Sequence, residues 1–310
     1  MIIARGFIGI DVSKHDLDVF EGGSGRSYRT ANTQEALGEL TACWKDSGAF
    51  VAFEATGHYD AALRRALTAQ GIAFARVNPA RGRDFARAAG FLAKTDKIDA
   101  RMLAAMAQSL SPAPAGETDR DREGLAVAHK RRDQLVHTRQ QERTRRTECH
   151  DAVLRADIEA HLCWLDARIA HWDGEIRRLL TQSQRLDRIA RLLRSIPGIG
   201  PVAAATLIAL MPELGVLRSK QVAAIAGLAP FNVDSGQFRG ARRIRGGRKR
   251  VRDALYMAAV AAARSHQRFS TMYRRLRAAG KPAKLALIAI ARKLLVTANA
   301  ILRDNIAFNA

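Results

Sequence analysis

Short apolar runs and turns at the start of the chain limit the folds that it can adopt. Residues 7–12, 16–21 and 26–30 are typical of three short strands, and a Gly22-Gly23-Ser24-Gly25 turn separates the last two. In the residues that follow, patterns typical of a helix alternate with patterns typical of a strand. They predict a helix over Gln34–Lys45, a strand over Ala49–Glu54, a helix over Asp60–Gln70 and a strand over Ile72–Val77. Hairpin-connected strands followed by alternating helices and strands predict a mixed sheet.

This order of elements indicates a fold class for the N-terminal region. It is the ribonuclease-H-like α/β arrangement, in which active residues lie at the ends of strands. We therefore predict an α/β domain over residues 1–110. The segment Ser111-Pro112-Ala113-Pro114-Ala115-Gly116 then breaks the pattern and is interpreted as a linker.

The chain beyond residue 110 is predicted to be mostly helical, with a linker and coiled-coil region over 111–190 and a C-terminal domain over 191–310. Apolar residues repeat with the alternating 4,3 spacing of a coiled coil: Ile158, Leu162, Leu165, Ile169, Trp172, Ile176 and Leu179. An amphipathic helix packed on its own domain is the alternative. Residues 131–147, which precede this pattern, carry too many charges to continue it as the apolar seam of a coiled coil. Their arginines are expected to face solvent or phosphate: Arg131, Arg132, Arg139, Arg143, Arg145 and Arg146.

Four acidic residues are candidate metal ligands. Asp11 and Glu54 each end an apolar run, where an unpaired carboxylate would cost several kcal/mol or take up a proton. Asp96 and Asp99 are three residues apart and share one face of a predicted helix. Together the four could bind two Mg²⁺ or Mn²⁺ ions. Each residue taken alone also has a structural explanation, and Asp18 on the second strand is interpreted as facing solvent.

The charge of the chain indicates a polyanionic partner. It has 51 Lys and Arg against 30 Asp and Glu, a formal net charge of +21, and nucleic acid is the commonest polyanion. A membrane is disfavoured because the start lacks a signal-peptide pattern and Arg292 and Lys293 break the longest apolar stretch, Leu285–Leu302. A soluble intracellular protein is expected.

Two segments of the C-terminal region are candidate nucleic-acid contacts. Residues 193–203 are similar to a helix-hairpin-helix motif, in which Gly198 and Gly200 would free backbone N–H groups to meet phosphate. A tight helix–helix connection is the alternative. Ser235 stands before a basic run whose expected role is to bind phosphate: Arg239, Arg242, Arg243, Arg245, Arg248 and Lys249. Arginines around a phosphodiester would help a serine hydroxyl to attack phosphorus, but a phosphate-binding loop without catalysis is also compatible.

Six short motifs follow one another over residues 7–303. They are, in chain order, Gly9-Ile10-Asp11-Val12-Ser13-Lys14, Glu54-Ala55-Thr56-Gly57-x-Tyr59, Val77-Asn78-Pro79, Lys94-Thr95-Asp96-x-x-Asp99-Ala100, Pro197-Gly198-Ile199-Gly200, and Gly227-Leu228-Ala229-Pro230 through Ser235-Gly236 to Gly246-Gly247. Together these motifs resemble those of the DEDD insertion-sequence transposases, the family that includes pilin-gene invertases and bridge-RNA-guided recombinases.

The resemblance implies a mechanism and partners. Asp11, Glu54, Asp96 and Asp99 would be the metal ligands of a RuvC-like domain, and Ser235 would be the nucleophile of a C-terminal transposase domain. The implied chemistry is a covalent phosphoserine intermediate, strand exchange and religation. The implied partners are donor and target DNA, an element-encoded guide RNA, and further copies of the chain in a dimer or tetramer in the cytoplasm of a bacterium or archaeon.

Three other classes of protein remain open at this point. A junction-resolving nuclease would use the same carboxylates with metal-activated water and would not need Ser235. An actin-like sugar kinase also opens with a Gly-Ile-Asp strand, but the usual Gly-Thr phosphate turn is missing after Asp11. A nucleic-acid scaffold without activity would need none of the four carboxylates.

Overall fold

The structure is a computed structural model that describes residues 3, 6–55, 57, 59–91, 95–116, 119–231, 234–235, 238–239 and 243–309. Of residues 234, 235, 238 and 239 it describes the backbone alone. The chain divides into two compact units, Met1–Thr118 and Asp119–Ala310. The first unit is α/β and the second is mainly helical.

A five-stranded mixed sheet forms the first unit. Its strands are β1 (Phe7–Val12), β2 (Asp16–Glu21), β3 (Arg26–Ala31), β4 (Phe50–Glu54) and β5 (Ala73–Val77), in the order β3-β2-β1-β4-β5. The first three strands pair antiparallel, and β4 and β5 are parallel to β1. The predicted mixed sheet is confirmed, and its strand bounds agree with the sequence pattern to within one residue.

Helices cover both faces of this sheet. They are α1 (Gln34–Trp44), α2 (Ala61–Ala69), α3 (Pro79–Ala88) and α4 (Asp96–Leu110). Ile10 and Phe53 face α1 and α2, where they pack with Leu37 and Leu63. Because successive side chains of a strand point to opposite faces, the residues next to Ile10 and Phe53 point toward the α4 side. The candidate acids Asp11 and Glu54 are such residues.

A helical hairpin opens the second unit, made by α5 (Arg120–Glu148) and α6 (Ala152–Gln182). Side chains of Asp119 and Asp151 cap the first turns of the two helices. All seven residues of the predicted heptad pattern are buried or half-buried. The partner of α6 is α5 of the same chain, and Leu135 packs against Leu165 and Ile169. The charged stretch that was expected to lie outside the seam therefore contributes to it.

The arginines of α5 also have partners in the hairpin. Arg139 makes an ion pair with Asp166 of α6 at 2.7 Å, and Arg132 makes one with Asp173. Arg145 pairs with Glu142 on its own helix. The expectation that Arg132 and Arg139 face solvent or phosphate was wrong, because their acidic partners lie on α6. Arg145 remains exposed to solvent, as expected.

Six further helices and two short strand pairs complete the described part of the second unit. The helices are α7 (Gln184–Arg194), α8 (Pro201–Leu210), α9 (Ser219–Ile225), α10 (Lys249–Ser265), α11 (Gln267–Ala278) and α12 (Ala283–Asp304). The strands are β6 (Pro230–Phe231), β7 (Asp234–Ser235), β8 (Phe238–Arg239) and β9 (Arg243–Ile244), which pair as β6 with β9 and β7 with β8. The predicted helix-hairpin-helix segment corresponds to α7, the turn at 195–200 and α8.

The last helix, α12, is long and apolar enough to cross a membrane by length and composition. In the structure it is a core helix of the second unit. Ile290, Leu294 and Leu295 are fully buried among residues of α8 and α10. Its apolar character is therefore explained by burial within the protein.

Candidate active site

Two strand ends bring Asp11 and Glu54 to one edge of the sheet. Asp11 is next to last in β1 and Glu54 is last in β4. The two strands are parallel, with Ile10 opposite Phe53, so their carboxyl ends meet. Asp11 directly follows Ile10, and Glu54 directly follows Phe53. The two acids therefore lie side by side on the face of the sheet that α4 covers.

The helix α4 brings Asp96 and Asp99 to the same place. Thr95 caps it by accepting a hydrogen bond from the Ile98 N–H, so both acids fall in the first turn, where the helix dipole favours negative charge. The helix crosses β1 at Gly9. A Cβ at Gly9 would lie 1.9 Å from the Ala100 carbonyl oxygen, so only glycine permits this approach.

Electrostatics show that the four predicted acids lie close together. Burial and, in decreasing order, the negative charges of Asp99, Asp96 and Glu54 together raise the pKa of Asp11 to about 6. The structure therefore brings the four residues into one cluster, as their positions in the sequence predicted.

Asp18 and Arg29 also belong to this cluster. Asp18 faces Asp11 across the β1–β2 pair and contributes to the raised pKa of Asp11. The expectation that Asp18 faces solvent was wrong, since it is 5% exposed. Arg29 on β3 donates hydrogen bonds to both carboxylate oxygens of Asp18 and one, at 3.0 Å, to Asp96. The strand register could have suggested the pairing, because Asp18 stands opposite both Asp11 and Arg29.

The donor chemistry of the cluster fits a hard divalent cation. Its donors are carboxylate oxygens, which Mg²⁺ and Mn²⁺ prefer. A cation would also relieve the repulsion that raises the pKa of Asp11. As they stand, the His, Cys, Asp and Glu side chains in the described part of the chain form no group of three in metal-binding geometry. Asp96, for example, is turned toward Arg29.

The second candidate centre lies around the two short strand pairs. Ser235 ends β7, directly before the connection to β8, and its Cα partner is Phe238. The side chains of Ser235 and Arg239, and the whole of Arg242, lie outside the described residues. The backbone therefore places Ser235 opposite Phe238 in the β7–β8 pair.

The basic residues that follow fall into two groups. Arg243 and Arg245 are exposed, and the Arg245 guanidinium lies 5.8 Å from the centre of the Phe231 ring. Arg248 instead binds Glu213 through both terminal nitrogens at 2.6 Å and donates to the Leu210 carbonyl at the end of α8. Lys249 pairs with Asp253 one turn along α10. Arg248 has a structural partner in this unit, whereas Arg243 and Arg245 present their charge at the surface.

The two hairpin glycines have different environments. A Cβ at Gly198 would lie 2.3 Å from the Ala258 carbonyl oxygen, and the φ of Gly198 is +88°, so α10 packs closely against the turn. Gly200 is exposed at the start of α8 and has no described atom within 4 Å of a Cβ. Gly198 is thus required by packing, and Gly200 leaves the start of α8 open.

Comparison with known proteins defines the class. A family model described as "Transposase IS116/IS110/IS902 family" matches residues 190–274, and a model of the DEDD transposases of the IS110 type, described as "Transposase", matches residues 8–156. The chain is 30% identical over 321 aligned positions to the pilin gene-inverting protein of Moraxella bovis, with 99% of this chain and 98% of the relative covered. The corresponding protein of Moraxella lacunata gives the same values.

A shorter match is found with an insertion-element protein. The uncharacterized 44.8 kDa protein of element IS116 from Streptomyces clavuligerus is 34% identical over 157 residues, which cover 50% of this chain and 38% of the relative. The family matches and the relatives thus define a transposase of the DEDD type, an enzyme class of DNA recombination. The chain belongs to the IS110/IS116/IS902 transposase family.

Proposed function

We propose that the chain cuts and rejoins DNA through Ser235, assisted by metal ions that Asp11, Glu54, Asp96 and Asp99 hold. The observation that carries the proposal is the convergence of these four acids at the ends of β1 and β4 and in the first turn of α4, with which the raised pKa of Asp11 agrees. In a chain with a net charge of +21, four acids collected at one sheet edge indicate a cation site rather than a surface for DNA. When bound, Mg²⁺ or Mn²⁺ would neutralise charge on the reacting phosphate.

The covalent step is a phosphoryl transfer without net hydrolysis. The Ser235 hydroxyl oxygen forms a bond to phosphorus and loses its proton, the bridging bond from phosphorus to a deoxyribose oxygen breaks, and that oxygen gains a proton. Attack by a hydroxyl of the exchanged strand reverses the step and frees the serine. Arg243 and Arg245, exposed on β9 and just after it, would bind the phosphates of the strand.

The proposed partners follow from charge and family. Donor and target DNA are the substrates, a structured guide RNA selects them, and a homodimer or homotetramer acts on them in the cytoplasm of a bacterium or archaeon. One relative is a pilin gene-inverting protein, which makes inversion of a DNA segment a candidate outcome.

The alternative is a metal-dependent endonuclease of the Holliday-junction type. This alternative is favoured because all four candidate metal ligands belong to the first unit. Metal-activated water could then take the place of the serine as the nucleophile. The two functions differ in their need for Ser235.

Ser235→Ala separates the two functions. A supercoiled plasmid that carries the genomic locus of the coding sequence is incubated with the protein and its copurifying RNA. The unmodified protein should give a denaturant-resistant protein–DNA adduct that maps to the peptide containing Ser235, and Ser235→Ala should give neither adduct nor strand transfer. The matched control is Ser265→Ala, an exposed serine at the end of α10. Normal cutting by Ser235→Ala would establish water as the nucleophile.

A further inference from the structure

Gly82 lies against the carboxylate of Glu54. It is a buried residue of α3, a helix that Asn78 caps by accepting a hydrogen bond from the Ala80 N–H. A Cβ built on Gly82 would lie 2.6 Å from Glu54 Oε1 and 3.6 Å from its Cδ. The next nearest atom is the Met102 Cε of α4, at 3.7 Å. The space that a side chain would fill at residue 82 is therefore taken by the carboxylate.

The helix itself does not explain a glycine at this position. A glycine inside a helix is less favourable than alanine by about 1 kcal/mol. Gly82 lies outside the positive-φ glycines of the described chain, so its backbone conformation does not require glycine. By contrast, Gly198 combines a positive φ with a close approach of another helix backbone. At Gly82 the one contact tighter than ordinary van der Waals distance is with Glu54.

We propose that Gly82 is a positioning residue of the metal site: the absence of a side chain lets the Glu54 carboxylate rest against the first turn of α3 and so fixes its direction toward Asp11. This inference rests on the proposed role of Glu54 as a metal ligand. Glu54 has three rotatable side-chain bonds, and the close approach of its carboxylate to α3 at Gly82 reduces its conformations. A ligand held in one direction loses less entropy when a cation binds.

The proposal predicts that Gly82→Ala weakens metal binding without unfolding the protein. The added methyl group displaces Glu54 Oε1, because a carbon and an oxygen do not approach to 2.6 Å without a bond. The atom displaced is the end of a flexible side chain, so the helix and sheet can stay in place. Removing a residue that orients a metal ligand typically lowers metal affinity by about 10- to 100-fold. We expect an effect of at least about 10-fold on Mn²⁺ affinity.

The test measures Mn²⁺ binding by the full chain, by electron paramagnetic resonance and calorimetry, without DNA. Gly38→Ala is the matched control, because Gly38 also lies inside a helix of the first unit and has no described atom within 4 Å of its Cβ. Glu54→Gln reports whether Glu54 binds metal at all. Gly82→Ala should bind Mn²⁺ more weakly than Gly38→Ala, while both should keep the melting temperature of the unmodified protein or exceed it.

A second comparison uses the length of the acidic side chain. In the Glu54→Asp background the carboxylate is one methylene shorter and withdraws from α3. Adding Gly82→Ala there should cause little further loss of Mn²⁺ affinity. A purely structural role of Gly82 would give the same loss in both backgrounds.

The outcomes separate this inference from the proposed function. If Glu54→Gln binds Mn²⁺ as tightly as the unmodified protein, the proposed role of Glu54 is wrong. If Glu54→Gln loses binding but Gly82→Ala keeps it, the proposed metal role stands and the inference about Gly82 is overturned. A large fall in the melting temperature of Gly82→Ala also overturns it, because glycine would then be needed for the fold.

Discussion

Asp11 lies among several negatively charged side chains that disfavour its ionised form. It is half-buried, it faces Asp18 across the strand pair, and three further carboxylates act on it. Arg29 offsets part of this charge, but it binds Asp18 and Asp96 rather than Asp11. Residues kept in an unfavourable state of this kind typically serve function at the expense of stability.

Asp11→Asn should therefore stabilise the metal-free protein at neutral pH. The pKa of Asp11 is about 6 in the folded protein against an ordinary value of 3.8 for an aspartate, so its ionised form opposes folding. Below about pH 4 the group is protonated in both states and contributes nothing; its cost grows through pH 4–6 and is complete above the folded pKa. Thermal unfolding in chelator should show a higher melting temperature for Asp11→Asn at pH 7.5 and a smaller difference near pH 4.

Added Mg²⁺ should reverse the order of the melting temperatures of Asp11→Asn and the unmodified protein. A variant of an exposed acid controls for the change in net charge. A cation that binds only the folded state raises the melting temperature by mass action. Mg²⁺ should stabilise the unmodified protein and Asp84→Asn, whose acid is 76% exposed on α3, but not Asp11→Asn. A melting temperature of Asp11→Asn below that of the unmodified protein at pH 7.5 in chelator would contradict this account.

Among the elements, α4 decides how the acids of the first unit meet. It packs on β1 and β2 through small residues, with Ala100 and Ala104 fully or almost fully buried. Gly9 permits the contact, since a Cβ there would meet the backbone of the helix and not a movable side chain. The distance of Asp96 and Asp99 from Asp11 thus depends on one missing methyl group in β1.

Gly9→Ala should destabilise the first unit strongly. The new Cβ would lie 1.9 Å from Ala100 O and 2.5 Å from Ala104 N, so α4 must move away from β1. Overpacking of a core costs about 1–3 kcal/mol and occasionally more, and we expect the upper end because backbone is displaced. Urea unfolding measures the loss. Gly38→Ala, in an open position of α1, should instead be neutral or slightly stabilising; equal stability of the two variants would show that β1 and α4 are not packed this closely.

The α5–α6 hairpin is held by an apolar seam, and two adjacent residues of α6 test it. Leu165 packs against Leu135 and is 1% exposed, whereas the neighbouring and larger Trp164 is 52% exposed. Leu165→Ala should cost about 2–5 kcal/mol and Trp164→Ala much less, despite the greater loss of side-chain atoms. Hydrogen exchange along 120–182 and thermal unfolding measure both. A greater loss for Trp164→Ala would indicate that the outer face of α6 is covered in solution.

At the scale of the whole molecule, some of the many arginines are paired with acids inside the fold and others are exposed at the surface. Arg248, Arg139 and Arg132 are paired with acids inside the second unit. Arg243 on β9 and Arg245 just after this strand remain exposed. A count of arginines therefore overstates the number that can meet a phosphate.

Nucleic-acid binding should distinguish these two groups. Arg243→Ala with Arg245→Ala should weaken binding to all sequences and lower the slope of log affinity against log salt by about 1 for each lost phosphate contact. Arg248→Ala should lower the melting temperature, because it leaves the half-buried Glu213 without its partner. Binding titrations at several salt concentrations measure the slope. An unchanged slope for the double variant would place the nucleic acid elsewhere.

The sequence by itself determined the mixed sheet, the strand ends and the grouping of Asp11, Glu54, Asp96 and Asp99. These are local properties: alternation and turns define strands, a capping threonine defines the start of α4, and parallel strands end at one edge. The residues Ser235, Arg239 and Arg242 were also selected by pattern, and their roles stay predictions.

Only the tertiary structure decided which charges are used inside the protein and which glycines are required. Asp18 is buried, Arg248 binds Glu213, and Gly82 lies against Glu54. Each of these contacts joins residues that are separated in the chain and depends on the distance between packed elements. Sequence patterns report which face of a strand or helix a residue occupies, but not how closely the next element approaches that face, because the approach is set by the sum of all side chains packed between them.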